Sequence, residues 1–146
     1  MPEREIPCPS SADCEGELHP LAVKGLILFN QGEYWKAHEA LEEAWRDEKG
    51  QIRHLYRGIL QVGVAYLHIR RGNYDGAIKL YRRSKYWLDP FPSVCRSVEV
   101  RQLQADLEAA IGEVRRLGPH QMSRFNLSLL RPVIWEDKSS RMKAEG

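Results

Sequence analysis

Apolar residues recur along the chain at helical spacing. Leu21, Leu26, Leu28 and Phe29 mark a first helix from near Pro20 to Asn30, and the run Asn30-Gln31-Gly32-Glu33 supplies its stop. Tyr34, His38, Leu41 and Trp45 are spaced by four, three and four residues, which predicts a second helix ended by Gly50. A turn this short makes the two helices antiparallel neighbours. From Ile52 to Ile69 almost no polar side remains, since Ile59, Leu60, Val62, Val64, Ala65, Tyr66 and Leu67 crowd the segment. A helix that is apolar all round belongs at the centre of a bundle. A fourth helix is predicted from Tyr74 to Leu88, stopped by Asp89-Pro90-Phe91-Pro92, and a fifth from about Ser93 to Leu117, closed by Gly118-Pro119. No segment alternates convincingly as a strand.

Two segments echo each other. GEYWKAHEAL from Gly32 and GNYDGAIKLY from Gly72 share a glycine, a tyrosine and an alanine in register at an offset of 40 residues. Glycine admits a tight turn between helices, the aromatic fills the space where two helices meet, and alanine permits close approach. The expected fold is therefore all-α, a single-domain bundle of about five antiparallel helices built from hairpins with tetratricopeptide-like packing. The bundle is expected over residues 17–135, between a flexible N-terminal arm at 1–16 and a frayed C-terminal tail at 136–146.

Composition narrows the class without naming a reaction. The chain has 146 residues, 42% hydrophobic and 29% charged, which suits one globular domain. It has no apolar run long enough to cross a membrane. Its first residues, MPEREIPCPSSADCEG, lack the basic and apolar regions of a signal peptide, so a cytoplasmic location is expected. A formal charge of +2 is too mild to point to nucleic acid, which is not expected as a partner. Lys79, Arg82, Arg83 and Lys85, interleaved with aromatics, read as the solvated basic side of the fourth helix. Three cysteines make no disulfide framework, and Cys8, Cys14 and His19 lack a fourth ligand for zinc, so reduced thiols are expected.

The chemistry-bearing residues lie on the second and third helices. His54, Gln61 and His68 are separated by seven residues each and fall on nearly one line of the third helix. Burying such groups without partners costs about 1–3 kcal/mol each, so partners must face them. His38 lies in the seam of the second helix, with Glu42 beside it. A cluster of His38, Glu42, Gln61 and His68 is expected between these helices, with Glu39 or His54 at its rim. Two imidazoles and a carboxylate suit a divalent transition metal, and a hydrogen-bond network that fixes helix register would use the same residues. His-Glu-x-x-Glu at 38–42 is not the zincin motif, because Glu42 stands where the second histidine would be.

FNQGEYWKAHEALEEAW, followed by YRGILQVGVAYLHIRRGNYDGA, closely resembles the family called domain of unknown function 309, over roughly Leu21 to Leu88. The family pattern falls on Phe29, Asn30, Gly32, Tyr34, His38, Glu39, Glu42, Trp45, Gly58, Gln61, His68, Gly72 and Asn73. It leaves out His54, and Tyr56 and Arg57 depart from it. The resemblance implies an all-helical bundle and the label of metal-dependent hydrolase. On that basis His38, Glu42 and His68 are the expected metal ligands, Gln61, Asn30 and Trp45 the ligand-binding residues, and Glu39 the base. The partner is then a small molecule. The alternative is a non-enzymatic interaction module that binds a protein and uses the cluster only structurally.

Overall fold

The structure, a computed structural model, describes residues 5–136, and the expected tail beyond residue 136 lies outside the described residues. Five helices follow the apolar pattern: α1 Pro20–Asn30, α2 Tyr34–Asp47, α3 Arg53–Arg70, α4 Tyr74–Leu88 and α5 Val100–Leu117. They pack in sequence, α1 on α2, α2 on α3, α3 on α4, with α5 laid against α4. No helix among the described residues is long and apolar enough to cross a membrane.

Local chemistry sets the helix ends. Pro20 opens α1 at a position where its missing N–H costs nothing, and His19 Nδ1 accepts the Leu21 N–H at 3.0 Å. Both hairpins turn the same way. Gly32 at φ 79° and Gly72 at φ 73° take the left-handed conformation after α1 and α3. The following N–H groups then close on the last turns, Glu33 on Leu28 and Asn73 on His68. The two glycines of the sequence echo thus occupy equivalent turns.

Helix α3 is the centre of the bundle, and glycines decide how near its neighbours come. A Cβ on Gly58 would lie 2.4 Å from Leu88 of α4, and one on Gly63 would lie 3.3 Å from the Phe29 ring of α1. Gly25 of α1 receives Leu41 of α2 in the same manner. Phe29, Tyr34 and Tyr66 then meet with ring centroids 5.3 to 5.7 Å apart, two of the three pairs edge to face.

Between α4 and α5 the structure differs from the expected helix start. Residues 93–99 form a hairpin, β1 Val94–Cys95 against antiparallel β2 Val98–Glu99, and the fifth helix begins only at Val100. Arg96 and Ser97 both have positive φ, 47° and 69°, which gives the turn the twist that a two-residue hairpin needs and which no helix admits.

Cysteine chemistry departs from expectation as well. Cys8 is free, whereas Cys14 is joined to Cys95 by a disulfide across 81 residues, with Cα atoms 4.5 Å apart. Arg96 reinforces this junction, its backbone N–H donating to Cys14 O and its guanidinium to Asp13 O and Glu17 O. Farther toward the N-terminus, Tyr86 Oη donates to Glu5 O and Gln51 Oε1 accepts the Cys8 N–H. At the opposite end of the chain, Asn30 grips Val133, accepting its N–H at 2.8 Å and donating to its carbonyl at 2.9 Å.

Two stability changes follow. Gly58→Ala should lower the unfolding free energy by about 1–3 kcal/mol, because overpacking against buried Leu88 outweighs the gain in helix propensity. Urea melts of the two proteins measure it, and an unchanged or higher midpoint would contradict the close approach. Reduction of the disulfide, or Cys14→Ser, should cost about 2–4 kcal/mol by freeing the ends of a long loop in the unfolded chain. Melts with and without reductant check this.

Candidate functional site

A half-buried strip runs along α2 and α3 where the apolar core gives way to polar side chains. His38, Glu42 and Trp45 contribute from α2, and Arg53, Arg57 and Gln61 from α3. The His38 ring stacks on Trp35, centroids 4.7 Å apart and 19° from parallel, and its Nε2 lies 3.7 Å from a Glu42 oxygen. The other Glu42 oxygen accepts from Arg46 at 2.8 Å. Glu42 is thus shared between an imidazole and a guanidinium on its own helix.

Trp45 is bracketed by cations. The guanidinium carbons of Arg53 and Arg57 each lie 4.9 Å from its ring centroid. Arg57 also lies 4.3 Å from the Trp87 ring of α4, and Trp87 in turn stacks on His54 at 5.0 Å. The result is a ladder in which Arg53, Trp45, Arg57 and Trp87 alternate cation and π-system and the His54 ring stacks at the end, tying α2, α3 and α4 together. Sequence reasoning misses this ladder. Its available signal is the four-residue spacing of Arg53 and Arg57, which puts both on one face of α3, and Arg57 is a residue that departs from the family pattern.

Four strip atoms are buried without a hydrogen-bond partner: His38 Nδ1, Trp45 Nε1, Arg53 Nε and Gln61 Oε1, the first, second and fourth at family-pattern positions. Buried polar groups are nearly always paired, so three orphans at family-pattern positions need an explanation.

The line of His54, Gln61 and His68 exists, but its two histidines face α4. A Cβ on Gly76 of α4 would lie 2.8 Å from the His68 ring, and His68 Nδ1 sits 3.2 Å from the Asn73 amide nitrogen. Asn73 meanwhile caps α4, its Oδ1 accepting the Gly76 N–H at 2.9 Å. His68 thereby locks the second hairpin turn. Burial pushes its pKa below the usual histidine range, with Arg71 and Lys79 adding to the effect. Burial likewise lowers the His54 pKa, opposed by Glu5 and assisted by Arg53 and Arg57. Glu39 is exposed, and neither a hydrogen bond nor an ion pair joins it to either histidine among the described residues. Asn30 uses both ends of its amide on Val133.

Three side chains able to bind a metal nowhere gather among the described residues. His38 and Glu42 lie along α2, whereas His68 is turned into the α3–α4 junction. Among the described residues the expected donors therefore do not fit a resident metal ion.

The motif residues all fall within one matched segment. Residues 23–80 match the model of the family described as domain of unknown function (DUF309). The DUF309 segment covers α1 to the first half of α4 and contains every strip residue, while Trp87, the hairpin and α5 lie outside it. An uncharacterized protein of Aquifex aeolicus (strain VF5) is 25% identical over 108 residues, covering 73% of this chain. The matched region spans 32%, about a third, of that relative's length.

The two histidines facing α4 make stability pH-dependent. Their folded pKa values lie below the ordinary 6.5, so the folded state holds them neutral and the unfolded state takes up protons first. The stabilisation is complete above about pH 6.5 and is lost progressively below it. Unfolding free energies at pH 7.5 and 5.5 should therefore fall with pH, and His68→Asn should flatten the dependence. An equal slope in both proteins would remove His68 from this role.

Proposed function

We propose that the DUF309 segment is a small-ligand-binding helical domain whose site is the strip formed by His38, Glu42 and Trp45 of α2 with Arg53, Arg57 and Gln61 of α3. The observation that carries this is the set of unsatisfied buried atoms His38 Nδ1, Trp45 Nε1, Arg53 Nε and Gln61 Oε1. Together they offer two donors, from Trp45 and Arg53, an amide end of Gln61 and an imidazole nitrogen that can donate or accept. A polar ligand would satisfy groups that the fold leaves open, and the flanking Glu42 and arginines would select its charge. His68, Asn30 and Glu39 stay outside the proposed site, the first two because the fold uses their polar atoms and the third because it stands exposed and unconnected.

Exposed Trp35 favours a second reading. It is 53% exposed while stacked on His38, so a partner protein could dock over both. Trp35→Ala would then abolish a pulldown interaction that Gln61→Met leaves intact.

Gln61→Met separates ligand binding from a purely structural network. A binding-site orphan replaced by an apolar side chain of similar size should leave the unfolding free energy within about 0.5 kcal/mol or raise it. Loss of a structural hydrogen bond should instead cost about 1–3 kcal/mol. Native mass spectrometry of freshly purified protein should also show a small molecule carried by the wild type and missing from Gln61→Met. Identical spectra combined with the larger stability loss would assign the strip to structure.

A further inference from the structure

A second polar feature lies across α4 from the strip. Tyr74, Asp75, Ile78, Lys79, Arg82 and Arg83 of α4 and Arg115 of α5 line an open cleft of about 530 Å³. That volume is in the range of small-ligand sites. Four cations line it against one carboxylate.

The pairing of charges elsewhere makes this imbalance specific. Lys85, one turn beyond the cleft, pairs with Asp89 at 3.3 Å, and Arg116, next to Arg115, pairs with Glu113. Glu108 of α5 accepts a hydrogen bond from Tyr81 Oη at 2.6 Å. Arg115 rests over the Tyr81 ring, its guanidinium carbon 5.4 Å from the centroid, so its position is held by an aromatic face. Among the described residues no ion pair engages Lys79, Arg82, Arg83 or Arg115. Like charges brought together on two helices repel, and a concave wall concentrates their field on whatever anion enters. Half-buried Tyr74 and Ile78 add an apolar wall beside the cations.

We propose that the α4–α5 cleft binds a small molecule carrying an oligophosphate chain. A di- or triphosphate brings several negative charges along a short path. Arginine suits it because its planar guanidinium donates two parallel hydrogen bonds to phosphate oxygens. Arg115 and two of the six α4 lining residues, Arg82 and Arg83, lie outside residues 23–80, so the cleft is built partly beyond the matched segment.

Isothermal titration of the full chain at about 0.15 M salt tests the proposal, with inorganic tripolyphosphate and adenosine triphosphate as separate probes. A dissociation constant below about 0.1 mM is expected for at least one of them. Equal affinities would mean that the phosphate chain alone is read, and tighter binding of the nucleotide would mean that the Tyr74 and Ile78 wall contributes. Arg82→Gln combined with Arg115→Gln should weaken binding at least tenfold, and Arg83→Gln alone serves if the double variant misfolds. Arg124→Gln, an exposed arginine outside the cleft lining, should leave affinity unchanged. Absence of heat with both probes up to about 1 mM, or equal weakening by Arg124→Gln, would overturn the proposal.

Discussion

Everything in this bundle depends on how closely neighbouring helices approach α3. Gly58 lets Leu88 sit almost on the α3 backbone, and Gly63 does the same for the Phe29 ring on the opposite side. Side chains beside those contacts are forced into fixed layers. The aromatic triangle of Phe29, Tyr34 and Tyr66 fills one layer, and the cation and π ladder through Arg57 closes another. With the packing distances set by glycine, the polar groups of α3 have little freedom to choose partners. His68 meets Gly76 because only a glycine leaves room for the ring there.

This constraint explains what the sequence could and could not reveal. The helices were legible because apolar spacing is local, and the two hairpin turns because Gly32 and Gly72 repeat the same solution. The seven-residue line of His54, Gln61 and His68 was legible for the same reason. Which neighbour would face that line was not, since periodicity gives a direction around one helix and says nothing of who stands there. Position 54 meets Trp87 and position 68 meets Gly76, both from α4, so His68 is not part of the cluster expected between α2 and α3. The hairpin at 93–99 escaped notice because two-residue strands are too short to show alternation. The bond between Cys14 and Cys95 escaped because contacts 81 residues apart leave no mark in spacing.

The two polar features on either side of α4 differ in kind. The strip at α2 and α3 consists of matched but unfinished hydrogen bonding, with charges already engaged by aromatics and by Glu42. The α4–α5 cleft is the reverse, since its four cations face a single carboxylate, Asp75. One calls for a ligand of particular shape, the other for a ligand of particular charge.

The bond between Cys14 and Cys95 also changes the topology of the molecule. It closes a covalent ring that contains α1 to α4 and the whole of residues 23–80. Helix α5 and the segment that Asn30 holds through Val133 lie outside the ring, attached at its closure point. The matched segment therefore lies inside a loop tied at Cys14 and Cys95, with α5 and the segment after it appended beyond the closure. The α4–α5 cleft has one wall on the ring and the other on the appendage. An anion seated there would act as a second, non-covalent tie between two parts that the backbone and the disulfide join only through the hairpin.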